Sequence, residues 1–358
     1  MGAEPVRVGI AGYGLAGRVF HGRLLAGTPG AAVTAVVTRD PQRRAQVAQD
    51  HPGAVVYDDV EAAVAAVDLL VVATPNASHA AVAATAVDAG VPVVVDKPLA
   101  VAAADARAVV ERSEAAGVPL TVFQNRRWDA DQLTLRRLVA AGELGEVRRY
   151  ESRFERWRPA PAPDKWRESL PATGGGGILL DLGSHLVDQA VHLFGPAISV
   201  YAEIDARRGG PEDDVFLALE HAGGEYSQLW ASAVAAAPGP RLRVLGSAAA
   251  FVVEHLDGQE DALRAGRIPG RDEPWGVEPP DRQGALRHGS ESRPAAGERG
   301  RWDSFYPAVL AALRDHTPMP VDPRDAVAVL DLLEAARRAA AERLVIRLGA
   351  AERPGPPG

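Results

Sequence analysis

The chain has 358 residues with 47 acidic and 39 basic side chains, a formal net charge of −8, and no cysteine. Disulfides, thiolate nucleophiles and cysteine metal sites are therefore excluded, and charges of both signs scattered along an acidic chain argue against nucleic acid as a partner. The length suits about two domains with cores of their own, and with no basic leader at Met1 to Pro5 and no run near the ~20 apolar residues of a bilayer span, a soluble, cytoplasmic protein without membrane contact is expected.

An apolar run, Val6 to Ala11, leads into Gly12-Tyr13-Gly14-Leu15-Ala16-Gly17 and then a helix-like segment. In such a strand–turn–helix unit the first glycine permits the tight turn and the second lets backbone approach a pyrophosphate. The third lets the helix lie close on the strand, with its free N–H groups facing the phosphates. The second strand, Ala31 to Val37, ends in Thr38-Arg39-Asp40-Pro41. An acid at this tip would suit the ribose hydroxyl of NAD. Here Thr38 and Arg39 hold the tip, and Asp40 before Pro41 reads as a helix N-cap, so NADP is favoured over NAD. Arg43 and Arg44 could add phosphate contacts, but solvated helix surface is the more common fate of such residues.

Ala54 to Tyr57, Val60 to Val67 and Asp68 to Ala73 continue the strand and helix alternation, reaching Thr74-Pro75-Asn76-Ala77-Ser78-His79. Strands apolar on both faces and spaced by helices indicate a covered parallel sheet, whose carboxyl ends bind ligands. Thr74, Pro75 and Asn76 are therefore cofactor-side candidates; His79, which opens the next helix, is also placed on the cofactor side, though a lone histidine there is more often a cap or packing residue than a catalyst. Val91 to Val95 ends in Asp96-Lys97-Pro98, and the proline fixes where Lys97 projects. Only Lys97 and Lys165 are lysines, every other basic residue being arginine. A lysine kept against that bias can do what arginine cannot, which is to release a proton. A helix over Ala102 to Ala116, a strand over Val118 to Phe123 and the run Gln124-Asn125-Arg126-Arg127-Trp128 complete the first domain, residues 1–125.

Residues 126–358 follow another pattern: a helix over Asp129 to Ala141, a strand over Val147 to Trp157, then five strands between Ala197 and His255 without crossover helices, predicting a mainly antiparallel sheet. Between them lie Trp166-Arg167, four glycines from Gly174 to Gly177, and a helix over Leu180 to Phe194. Asp181, His185, Asp188 and His192 form one polar stripe on that helix. His185 and His192 are two turns apart, too far for one tetrahedral site, so no metal is expected. The glycines favour Asp181 and His185 as a substrate face, with Asp181 orienting the His185 ring. Asp188 and His192 are expected to pair structurally. Gly258 to Gly300 reads as a surface excursion or partly disordered arm, Trp302 to Asp315 and Pro323 to Ala341 as helices, Leu344 to Leu348 as a strand, and Glu352 to Gly358 as a frayed tail.

The glycine turn, Asp96-Lys97-Pro98, Gln124 to Trp128 and Gly175-Gly176-Gly177-Ile178-Leu179-Leu180-Asp181-Leu182-Gly183-Ser184-His185 together resemble the Gfo/Idh/MocA oxidoreductase family over nearly the whole chain. Within it the chain is similar to the branch with DKP in place of EKP, which includes NADP-dependent scyllo-inositol dehydrogenases. The resemblance implies an α/β fold, an N-terminal Rossmann doubly wound parallel sheet plus a C-terminal α+β domain with a large open sheet. It also implies hydride transfer between NADP and a sugar or polyol, and a homodimer or homotetramer formed through the C-terminal sheet. It maps the catalytic residues onto Lys97, Asp181 and His185, and adds Asp96, Lys97, Gln124, Asn125, Trp166 and Arg167 to the cofactor side. A nucleotide-binding sensor without turnover, or a dehydrogenase or reductase for an unrelated carbonyl, are the alternatives.

Overall fold

The structure, a computed structural model, describes residues 4–162 and 165–349; the tail expected to fray lies outside them. Its first half runs β1 (Val6–Ala11), a π-helical stretch Leu15–Gly22 continuing as α1 (Arg23–Ala26), β2 (Ala31–Val37), α2 (Pro41–Asp50), β3 (Val55–Tyr57), α3 (Val60–Val64), β4 (Leu69–Val72), α4 (His79–Asp88), β5 (Val93–Asp96), α5 (Ala103–Ala116) and β6 (Leu120–Phe123). The six strands are parallel in the order β3-β2-β1-β4-β5-β6. The strand order reverses direction between β1 and β4, so the crevice outside their carboxyl ends is where such a sheet binds ligand. Val8, Ile10, Leu69 to Val72, Val93 to Val95 and Val122 are fully buried. At about 1.5–3 kcal/mol for each large apolar side chain, these strands hold the crevice rigid. Asp40 caps α2 as the sequence indicated, its carboxylate accepting the N–H groups of Gln42 and Arg43 ahead of Pro41.

The second half runs α6 (Ala130–Ala140), β7 (Val147–Glu155), α7 (Trp166–Ser169), a π-turn Leu179–Gly183 leading into α8 (Ser184–Phe194), β8 (Ala197–Asp205), β9 (Asp214–His221), β10 (Tyr226–Ser232), β11 (Leu242–Gly246), β12 (Ala250–Val253), α9 (Gln259–Arg264), β13 (Ala285–His288), β14 (Glu291–Pro294), α10 (Phe305–Asp315), α11 (Pro323–Glu342) and β15 (Ile346–Arg347). Nine strands form one sheet, β14-β13-β12-β11-β7-β10-β9-β8-β15, antiparallel except where β7 meets β10. Along β9 and β10 the residues alternate, Val215, Leu217, Leu219, Leu229 and Ala231 inward and Phe216, Ala218 and Trp230 outward. One face therefore packs on helices and the other is open. Helix α11 packs on α8 and β8 and also on α5, tying the two sheets together.

The segment 258–300 departs from expectation. It is ordered, adding the hairpin β13–β14 to the sheet edge and burying Leu263 and Trp275 completely. Gln259 Oε1 accepts from Trp275 Nε1 at 3.1 Å and from the Trp302 amide at 2.8 Å. Polar anchoring of a few large side chains replaces the apolar periodicity that would have revealed it.

Candidate active site

The glycine turn behaves as the spacing implied. Gly12 adopts φ +90°, and a Cβ there would lie 2.6 Å from the Ala73 carbonyl oxygen; one on Gly17 would lie 1.9 Å from the Gly12 carbonyl oxygen. Both positions are closed to any side chain. At Gly14 the nearest atom to such a Cβ is Arg43 Nη2, at 4.0 Å. Open space over Gly14 is what a pyrophosphate needs. Arg43 is exposed on α2, as the surface reading has it, yet it overhangs the turn and lines a recess there with Leu15, Arg18 and Gln46. Leu15 is exposed and Ala16 half-buried.

Tyr13 does not face this recess with its hydroxyl: its side chain is buried and donates to Asp50 Oδ2 at 3.0 Å, leaving only its backbone toward a cofactor. At the β2 tip Thr38 is buried, and exposed Arg39 donates through Nε to the Asp58 carbonyl oxygen at 2.9 Å. Arg44 pairs with Asp58. Thr74 and exposed Pro75 border the crevice beyond β4, but Asn76 turns to the other domain, donating to the Gly175 carbonyl oxygen at 3.1 Å. His79 is a correction. Its ring is buried, with Nδ1 2.7 Å from the Pro98 carbonyl oxygen and Nε2 2.8 Å from that of Thr74. It clasps the ends of β4 and β5 together rather than meeting a ligand.

Asp96 likewise turns inward, 3.7 Å from His21 Nε2, while His21 Nδ1 lies 2.6 Å from the Tyr306 hydroxyl. The next side chain, Lys97, goes the other way. Its ammonium donates to the main-chain carbonyl of Asp181 at 2.6 Å and to Asp181 Oδ1 at 2.9 Å. Arg167 Nε lies 3.4 Å from the same oxygen, and its guanidinium stacks on Trp166 at 4.3 Å. Burial would raise the Asp181 pKa, but the charges of Lys97 and Arg167 and the Lys97 hydrogen bond outweigh it and bring the carboxyl down to about 2.

His185, one turn beyond Asp181 on α8, is 5% exposed and packs its ring against Phe154. Burial, then the charges of Lys97, Arg126 and Arg241, hold its pKa well below the ordinary histidine value. The expected Asp181 hydrogen bond to this ring does not form. The carboxylate is taken by Lys97 and Arg167, and His185 Nδ1 has no hydrogen-bond partner among the described residues. The glycine run is likewise explained by packing, since a Cβ on Gly176 would lie 1.9 Å from the Leu170 carbonyl oxygen and one on Gly177 2.4 Å from the Glu212 carboxyl group. Asp188 accepts both Nε and Nη2 of Arg127 in a buried pair, and His192 Nε2 lies 3.2 Å from Arg136 Nη1. Breaking a buried pair costs about 3–5 kcal/mol, so Asp188 is structural.

Asn125 is buried beyond β6, and Gln124 is 2% exposed there, its Oε1 without a partner among the described residues. That orphaned acceptor and the space over Gly14 fit a nicotinamide dinucleotide lying across the crevice, with an amide at one end and phosphates at the other. Sequence reasoning missed Glu260 altogether, because it lies in the segment taken for a surface arm. Its carboxylate accepts from Arg126 Nη2 at 2.7 Å; burial would raise its pKa, but the charge of Arg126, the hydrogen bond and charge of Arg264 and, least, the charge of Lys97 lower it. Among the described residues no group of three or more histidine and carboxylate side chains could hold a metal ion. No helix among them is long and apolar enough to cross a membrane.

Residues 6–124 match the oxidoreductase family with an NAD-binding Rossmann fold, and residues 132–252 match the GFO/IDH/MocA C-terminal domain. The chain is 33% identical to the scyllo-inositol 2-dehydrogenase (NADP(+)) IolW of Bacillus subtilis strain 168, covering 96% of each chain. It is 36% identical to the uncharacterized oxidoreductase YdgJ of Escherichia coli strain K12, covering 97% of this chain and 99% of that one. Among solved structures, the putative oxidoreductase yvaA from Bacillus subtilis matches with a TM-score of 0.89 at 32% identity, over 98% of this chain and 99% of that one.

Proposed function

The chain belongs to the Gfo/Idh/MocA family of oxidoreductases, and we propose that it transfers a hydride between NADP(H) and a secondary alcohol or ketone of a sugar or cyclic polyol, scyllo-inositol among the candidates. One observation carries this reading. Lys97, from the tip of β5, pairs at 2.9 Å with Asp181 of the other domain, four residues before His185, whose ring burial holds uncharged at neutral pH.

A carbinol carbon that loses hydride must also lose its hydroxyl proton, which requires a base within about 3 Å of that oxygen. His185, neutral at pH 7, can accept the proton. Lys97 can donate a hydrogen bond to the same oxygen and stabilise the developing alkoxide. Asp181 holds the ammonium in place, which is a different task from orienting the imidazole. The bound nicotinamide supplies the hydride acceptor. Gly12, Gly14 and Gly17 would seat the pyrophosphate, Gln124 and Asn125 the nicotinamide end, and Thr38, Arg39 and Arg43 the 2′-phosphate end.

Mixing the protein with NADP or NAD and a panel of inositols, sugars and sugar acids, then following nicotinamide absorbance, tests this. Turnover of at least one polyol is expected, with kcat/KM for NADP at least about tenfold above that for NAD, the effect of one charge-assisted phosphate contact. NADP binding with no turnover of any member would instead support a nucleotide sensor.

The open sheet face suits a second copy of the chain. Trp230 lies centrally, its ring 5.0 Å from Phe216 and 3.9 Å from the Arg153 guanidinium, with Arg149 and Glu203 further out. An apolar centre with rim charges of both signs is self-complementary about a two-fold axis. Sedimentation should show a dimer or tetramer that Trp230→Glu dissociates; a monomeric wild type would refute the assignment.

A further inference from the structure

The pleat of β7 decides which side chains reach the cleft. Arg153 faces the open side, stacked on Trp230, while Phe154 faces the helices, against His185 and beneath Arg126 at 4.8 Å and Arg241 at 4.3 Å. The parallel ladder with β10 ends one residue past the strand, where the Arg156 amide donates to the Ser232 carbonyl oxygen at 2.9 Å; beyond it Trp157 makes an isolated antiparallel bridge to Val234. Alternation therefore puts Arg156 on the same side as Phe154, one pleat further out.

Arg156 is half-buried there, and burial lowers its pKa. Asp181, Glu260 and Glu168 are near enough to oppose that effect, yet each carboxylate is already engaged. Asp181 holds Lys97 and Arg167, Glu260 holds Arg126 and Arg264, and Glu168 holds Arg208. Lys97, Arg126 and Arg167 thus have carboxylate partners of their own in Asp181, Asp129 and Glu260, while Arg156 has no ion-pair partner among the described residues. A half-buried guanidinium is costly without an anion, and its planar fork matches a carboxylate or a phosphate.

We propose that Arg156 binds an anionic group of the substrate, so that the favoured substrate is a sugar or polyol carrying a carboxylate or phosphate. This rests on the dehydrogenase reading and narrows it. The recess at the glycine turn, the pyrophosphate seat, is lined by other residues, whereas Arg156 lies near Asp181 and Glu260.

The test is calorimetric titration of the NADPH-loaded enzyme with glucose, glucuronate and glucose 6-phosphate. At least one anion should bind about tenfold or more tightly than glucose, and which one does so identifies the preferred group. Arg156→Gln should reduce that preference by about 10- to 100-fold, the effect of one hydrogen-bonded charge, and Arg156→Lys should retain part of it. Equal binding of glucose and both anions, binding of neither anion, or an Arg156→Gln variant that weakens glucose as much as the anions would each overturn the proposal. Hydride transfer is read separately. A chain that oxidises uncharged polyols and ignores the anions loses this proposal and remains a dehydrogenase, whereas one that binds anions through Arg156 without reducing cofactor keeps the anion site and loses the activity.

Discussion

Lys97→Arg should bind NADP(H) within about threefold of wild type while kcat falls by about 10²–10⁴, or roughly 3–5 kcal/mol of barrier. The variant keeps a positive charge, so a loss this large cannot be attributed to charge alone. What changes is shape and chemistry. Lys97 places one compact ammonium between the Asp181 main-chain carbonyl and carboxylate, a geometry a longer, planar guanidinium does not reproduce, and a guanidinium does not release a proton. Cofactor affinity by fluorescence titration and turnover by nicotinamide absorbance separate the two effects. A Lys97→Arg enzyme with near-normal kcat would remove the ammonium from the mechanism.

His185→Asn should cost a similar factor in kcat and should also abolish the acidic limb of the pH–rate profile. The direction follows from the environment of the ring. Burial and the cations Lys97, Arg126 and Arg241 all disfavour the imidazolium, so the folded-state pKa is depressed. The ring therefore stays uncharged through neutrality, and, with His185 as the proposed base, kcat/KM for alcohol oxidation should hold level down to the ordinary histidine value of about 6.5, falling only below it. The same sign governs stability. Below about pH 6.5 the unfolded chain takes up a proton that the buried ring refuses, so this contribution is fully present above that pH and is lost as the pH falls toward the folded-state pKa. An acidic limb at or above pH 6.5, unchanged in the asparagine variant, would assign the titration to another group.

What could be read in advance depended on whether a residue's task is local or tertiary. The glycine turn was legible because Gly12 and Gly17 are closed to any Cβ by backbone a few residues away or on the adjoining strand. Lys97 was legible because a single lysine at a strand tip before proline has its position fixed by short-range geometry. The phase of α8 put Asp181 and His185 on one stripe, but phase says nothing about partners on other elements. Asp181 serves Lys97 and Arg167 instead of its helical neighbour. His79 was misplaced for the same reason, and the Tyr13 side chain was not placed at all: the Thr74 and Pro98 carbonyls and the Asp50 carboxylate that claim them are brought near only by the fold. Glu260 and Arg156 sit in no motif, and Glu260 lies in a segment whose order comes from Trp275 and Gln259 rather than from periodicity.

A crystal structure of the enzyme with NADP and a polyol selected by turnover is the most direct test. The account predicts one hydroxyl oxygen of the polyol within about 3 Å of both Lys97 Nζ and a ring nitrogen of His185, its carbon facing the nicotinamide. A productive complex in which the reacting oxygen touches neither side chain would contradict it.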